Sequence, residues 1–200
     1  LPVGWADDQG PGRYRLRRRD DDAHFGFTTP STSWRPFLHP ARETVFRARL
    51  DGGGFEVEPP APPPPVAFVG VRPCDLRGIA VQDRVLRDGA FPDAGYTTRR
   101  ADVFVIAADC GEAGATCFCA SMGSGPTAEE GFDLAVSERL DDGRPRFYVR
   151  VGSARGAELL TRVAHEPATD ADRTEAAAAG QRAAGQQVRS MPATTVAGLL

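Results

Sequence analysis

Hydrophobic and polar residues change rhythm part-way along this chain. Up to about residue 58 the apolar positions are sparse and tend to alternate with polar ones. Arg13–Arg17 and Ala23–Thr28 are short strand-like stretches on either side of the polar run Asp20-Asp21-Asp22. Val45–Leu50 and Phe55–Glu58 flank Asp51-Gly52-Gly53-Gly54, which predicts a hairpin, because glycine enters positive-φ turns at little steric cost. The Arg17–Arg19 run beside three aspartates reads as a solvated turn.

Glu58–Pro65 is nearly all proline, which cannot donate to a strand ladder, so a stiff extended linker is expected there. Beyond it the pattern changes. Val66–Val71 is an almost continuous apolar run, as in a strand buried on both faces. Asp75–Arg87 carries Leu76, Ile79, Ala80, Val85 and Leu86 at helical spacing and stops before Gly89. Asp102–Ala107 is a second apolar strand. Strand, helix, strand is a βαβ unit, with parallel strands expected. Arg146–Val151 predicts a third strand, and Ser153 caps a helix running to about Ala164. Asp170–Arg189 is helical with an apolar face made mostly of alanine, so its packing is expected to be weak. The fold class expected is α/β: a β-rich N-terminal region (1–58), a Pro-rich linker (59–65), a small parallel-sheet α/β domain bearing the cysteines (66–165), and an Ala-rich helix and connection (166–200).

Composition removes several function classes. The chain has 200 residues and a formal net charge of −3, and all 24 of its basic residues are arginine. Nothing in that balance provides the basic field that nucleic-acid binding needs. The longest apolar runs are about six residues, far below the roughly 20 of a membrane-spanning helix. The opening LPVGWADDQG has neither a basic nor an apolar leader region, so a cytoplasmic protein is expected. It also lacks an initiator Met, and the chain stops on AGLL, as expected of a fragment of a longer protein.

The candidate chemistry lies in four cysteines, Cys74, Cys110, Cys117 and Cys119, spaced C-x35-C-x6-C-x-C. Cys74 follows the first apolar strand at the start of a helix, where the positive partial field favours a thiolate. Cys110 follows the second strand. Parallel strands end at one edge, so a long separation in sequence becomes nearness in space. Cys117 and Cys119, in extended backbone, project to one side roughly 7 Å apart. Four thiolates match an iron–sulfur cluster or an all-cysteine zinc site. Buried inert thiols, or disulfides in a secreted setting, are the alternatives.

After Cys119 comes a glycine-rich stretch in which Gly123, Ser124 and Gly125 are placed to offer backbone N–H groups to sulfide or phosphate, or to form a plain tight turn. It is neither a P-loop nor a dinucleotide fingerprint. Asp75 and Asp109 neighbour cysteines and are expected to tune the site or cap a turn. Asp133 is expected to anchor the glycine loop. Arg72 and Arg77 flank Cys74, to offset cluster charge or to sit in solvent. His24, His39 and His165 stand in no ligand spacing, and no nucleophile–base set is present.

Gly70–Ala80 (GVRPCDLRGIA), the stretch Asp102–Cys110, and Thr116–Pro126 (TCFCASMGSGP) followed by GFDLA resemble the iron–sulfur subunits of anaerobic sulfite reductase and the β subunits of cytoplasmic sulfhydrogenases. The resemblance runs in patches from about residue 1 to residue 165, and TCFCASMGSGP is its most specific part. It implies an electron relay between a flavin-containing subunit that handles NAD(P)H and a catalytic reductase or hydrogenase subunit. It also implies a C-terminal ferredoxin-type module with repeated C-x2-C-x2-C-x3-C-P, which this sequence lacks. The resulting expectation is a 4Fe–4S electron-transfer subunit, with a zinc-stabilised docking module or a flavin- or nucleotide-binding redox domain as alternatives.

Overall fold

Three parallel strands and one antiparallel return make the central sheet of this computed structural model, which describes residues 3–28 and 34–192. Two hairpins precede it. β1 (Trp5–Gly10) pairs with β2 (Arg13–Arg18), and β3 (Arg47–Asp51) pairs with β4 (Gly54–Glu58). A short helix, α1 (Arg35–Leu38), lies between the hairpins. The sheet takes β5 (Ala67–Val71), β6 (Phe104–Ala108), β7 (Leu134–Asp141) and β8 (Arg144–Val151) in the order β5-β6-β7-β8. The helices are α2 (Pro73–Leu86), α3 (Ala94–Ala101), α4 (Ala154–Leu160) and α5 (Asp170–Gly185). The chain is therefore α/β, with a β-rich N-terminal region followed by a small, mostly parallel sheet flanked by helices. Among the described residues no helix is long and apolar enough to cross a membrane.

Local chemistry explains most of these elements. Pro73 occupies the first turn of α2, where its missing N–H is no loss, and Asp75 meets the positive end of the same helix. Ser153 Oγ accepts from the Gly156 N–H to start α4. Thr169 and Asp172 form a reciprocal capping box on α5. That helix buries only Gly180 and Ala183, in keeping with its alanine face. The core gathers Trp34 and Leu38 with Phe68, Val71, Leu76, Ile79, Tyr96, Val105 and Ala135, tying α1, α2 and α3 to three strands. Inside it the Tyr96 hydroxyl donates to Asp83 at 2.7 Å, and Arg100 reaches the same carboxylate at 3.1 Å.

Two expectations are corrected and a third is extended. β5 is an edge strand, not one buried on both faces: Val69 is 66% exposed, and the register shifts between Val69 and Val71. Gly70, at φ +82°, makes that shift, and a Cβ there would stand 3.0 Å from the Phe25 ring. Ala23–Thr28 forms no strand, because its backbone groups are taken by side chains. Glu138 accepts from the His24 and Phe25 N–H groups at 2.7 Å each, and Arg72 donates to the carbonyls of Phe25 and Phe27. The predicted Arg146–Val151 strand exists within β8, but it pairs antiparallel with β7, an element that its polar residues Ser137, Glu138 and Arg139 concealed.

Candidate metal centre at the carboxyl edge of the sheet

β5, β6 and β7 run parallel, so their carboxyl ends share one edge. Cys74 lies in the first turn of α2, directly after β5, and is exposed. Cys110 follows β6 by two residues. The loop from there to β7 carries Cys117 and, at the start of a 3-10 turn (Cys119–Met122), Cys119. Phe118 between them has ψ 12°, so the pair is not in extended backbone; the 3-10 turn, not strand alternation, sets the second thiol.

This loop is folded back on the edge by hydrogen bonds. The Cys110 N–H donates to Pro126 O at 3.0 Å, and the Cys117 N–H donates to Gly114 O at 3.0 Å. Ser124 N–H donates to Cys119 O at 3.0 Å and Gly123 N–H to Ala120 O at 3.2 Å, so both donors are spent inside the loop. Gly123 turns the chain in the left-handed region, and Gly125 lies so close that a Cβ would stand 3.2 Å from Cys119 Sγ and 3.1 Å from Pro73 Cβ. Glycine at 125 thus lets Cys119 approach the N-terminus of α2, where Cys74 sits. Asp109 fixes the loop's far side: its carboxylate accepts from Arg150 at 3.0 and 2.9 Å, from Ser137 Oγ at 2.5 Å and from the Ala128 N–H at 2.8 Å. Asp133 ties the loop's end to β6 and α4 through the Val105 N–H (2.7 Å) and Ser153 Oγ (2.5 Å).

The segment after α5 straps across the same loop, a contact the sequence did not announce. Gln187 Nε2 donates to Cys119 Sγ at 3.2 Å while its Oε1 accepts from the Ala120 N–H at 3.0 Å. Gln186 Oε1 accepts from the Ala113 N–H at 2.8 Å.

Burial sets the electrostatics of two of the thiols. Burial pushes the Cys110 thiol up to about 12; Arg72 opposes the rise, and Cys74, Cys119 and Cys117 add to it. Burial also raises Cys117, opposed by its hydrogen bond with Gly114 and reinforced by Cys119. Arg72 is 2% exposed, while Arg77 is exposed to solvent. The histidines stay apart from this group: His24 lies 3.4 Å from Glu138, His39 ends α1, and His165 Nδ1 contacts Val163 O.

None of the four cysteines is in a disulfide. Among the described residues, no three His, Cys, Asp or Glu side chains are grouped so that they could hold a metal ion. By their chemistry four cysteines on the segments that follow β5 and β6, one of them in the first turn of a helix, are the residues that would hold a thiolate-bound metal group. A groove of about 960 Å³ runs beside the loop, lined in part by Gly111–Gly114, Phe25, Phe147, Tyr148 and Ala176.

Over 146 aligned residues the chain is 30% identical to Sulfhydrogenase 2 subunit beta of Pyrococcus furiosus. This chain is related to a hydrogenase subunit. The alignment takes in 70% of the chain and 39% of the relative, so the chain spans about two fifths of that subunit's length. No family model and no solved structure matches it.

Proposed function

We propose that this chain is the cysteine-bearing part of an electron-relay subunit in a hydrogenase-like oxidoreductase complex. Cys74, Cys110, Cys117 and Cys119 would hold one iron–sulfur cluster; four thiolates suit a 2Fe–2S or a 4Fe–4S core, and the 4Fe–4S type is favoured by the resemblance to the iron–sulfur subunits. The observation that carries this reading is the placement of Cys74 directly after β5 and Cys110 directly after the parallel strand β6, with Gly125 letting Cys119 pack toward Pro73 at the start of α2. Kinship with a sulfhydrogenase beta subunit supports the class of complex.

Such a cluster, when bound, accepts and passes single electrons. The chain's own part is to hold and shield it. The first turn of α2 presents Cys74, Gly123, Ser124 and Gly125 shape the wall beside Cys119, and Gln187 donates to the Cys119 sulfur. The partners in this reading are a flavin-containing subunit that handles NAD(P)H and a catalytic hydrogenase or sulfite-reductase subunit, all in the cytoplasm. In this reading residues 66–165 are the cysteine-bearing domain, joined through the 59–65 linker to the 1–58 region, with 166–200 as an Ala-rich helix and connection.

The test is iron and acid-labile sulfide analysis with a visible spectrum on protein purified without oxygen. About four irons and four sulfides per chain, with a brown absorbance bleached by dithionite and lost in Cys117→Ser, is the expected result. One zinc in a colourless protein would replace the relay by a structural four-cysteine site. The flavin or nucleotide alternative has the groove in its favour, since about 960 Å³ suits a nucleotide-sized ligand. It predicts a yellow protein that releases nucleotide on denaturation.

A further inference from the structure

Arg72 is a buried cation with no ion-pair partner among the described residues. Its side chain is among the largest fully buried ones, and among the described residues it forms no ion pair. Main-chain carbonyls hold it instead. Nη1 donates to Ala108 O at 3.3 Å and Asp109 O at 3.0 Å, the two residues before Cys110. Nη2 donates to Phe25 O at 2.9 Å and to Phe27 O. The guanidinium also lies over the Phe25 and Phe27 rings, 5.8 and 5.0 Å from their centroids. Nε is buried with no hydrogen-bond partner. Carbonyl dipoles and ring faces solvate the charge in part, but a desolvated ion without a counter-ion is costly. The nearby Asp109 carboxylate is already committed to Arg150, Ser137 and Ala128.

We propose that Arg72 is the built-in countercharge of the four-cysteine site, a fixed cation whose negative partner is supplied when the cysteines bind their metal group as thiolates. The inference rests on the four-cysteine reading above and adds a named residue and a role to it. A four-thiolate site is net anionic with zinc or with an iron–sulfur core, and an added electron makes it more so. Arg72 is placed to feel that charge: it stands at the N-cap position of the helix that carries Cys74, two residues before that cysteine, and its guanidinium grips the backbone that leads into Cys110. It acts through space on the bound group and is a positioning and tuning residue, not a ligand. Arg77, one helical turn on and exposed, faces a screened environment and has no such hold.

The experiment compares the full chain with R72M, R72K and R77M, each reconstituted with iron and sulfide without oxygen and titrated with dithionite. For R72M the expected result is a reduction equilibrium shifted at least tenfold against the reduced form, about 59 mV for a one-electron couple. R72K recovers most of that shift, and R77M stays within twofold of the parent chain. If the parent takes zinc instead, R72M should lose zinc to a chelator at least tenfold more readily, again with recovery in R72K. Should R72M fail to fold, R72Q keeps a donor toward the carbonyls and gives the same comparison. A loaded parent with neutral variants within twofold of it overturns the role of Arg72 alone. A parent that binds neither iron nor zinc overturns the four-cysteine site, and this inference with it.

Discussion

The Asp109 carboxylate grips the Arg150 guanidinium with two hydrogen bonds, at 3.0 and 2.9 Å, one residue before Cys110. The same carboxylate receives Ser137 and Ala128, so β6, β7, β8 and the cysteine loop meet at a single buried group. Asp109→Ala would strand the Arg150 charge and two further donors. Loss of one partner of a buried pair costs about 3–5 kcal/mol. Urea unfolding of the variant should show a loss of that size, with Arg150→Ala nearly as damaging and the double variant less than additive.

A subtler change is expected at Gln187. Its amide bonds both Cys119 Sγ and the Ala120 N–H. Gln187→Ala should cost about 0.5–1.5 kcal/mol of global stability. Its larger effect is expected on how long the loop keeps its bound group. The measurement is the rate of metal release to a chelator, which should rise several-fold while the melting temperature hardly moves.

Gly70 is required twice over, by φ +82° and by the Phe25 ring that a Cβ would meet at 3.0 Å. Gly70→Ala should destabilise the fold by about 1–3 kcal/mol. It should also displace Phe25, whose carbonyl receives Arg72. Faster alkylation of the half-buried cysteines, at unchanged reactivity of the exposed Cys74, would register that displacement.

Tyr96 gives a pH dependence with a definite sign. Burial, the hydrogen bond to Asp83 and that carboxylate's charge all hold its phenol above the ordinary tyrosine value. The folded chain therefore keeps this proton more tightly than the unfolded chain does. Its contribution is fully present below the ordinary value near 10 and is lost as pH rises above it. Tyr96→Phe should flatten the alkaline fall in stability. At neutral pH the same variant should cost about 1.5–3 kcal/mol, the range for a hydrogen bond to a charged group.

The sequence made some of this architecture legible and hid the rest for physical reasons. The β3–β4 hairpin and the β5-α2-β6 unit were readable, because Gly52-Gly53 and the valine-rich strands carry strong local signals. β1 was not: Asp7 and Asp8 are poor strand residues, and they stand opposite Leu16 and Arg15 in a partner strand rich in arginine. α3 was missed because Gly95, Thr97 and Thr98 are weak helix formers; the Asp93 cap, the buried Tyr96 and the contact with Leu38 through Arg99 make it a helix. In the site, the common edge of Cys74 and Cys110 followed from parallel strands. The role of Gln187, and the choice of Arg72 over Arg77 for burial, depend on which carbonyls and which segment fold over the edge, and no local pattern encodes that.

The β3–β4 hairpin has a consequence for how the chain opens. Every residue of both strands is exposed, with Leu50 opposite Phe55 on one face and Arg49 opposite Glu56 on the other. A two-stranded ribbon with no layer beneath it is marginal in water. It forms a cooperative unit of its own, opening at a small fraction of the free energy that opens the cysteine edge. Its amide protons will exchange with solvent long before those of β6. The cysteine edge can therefore stay closed through many openings of the arm, and substitutions can accumulate there at little cost to the site.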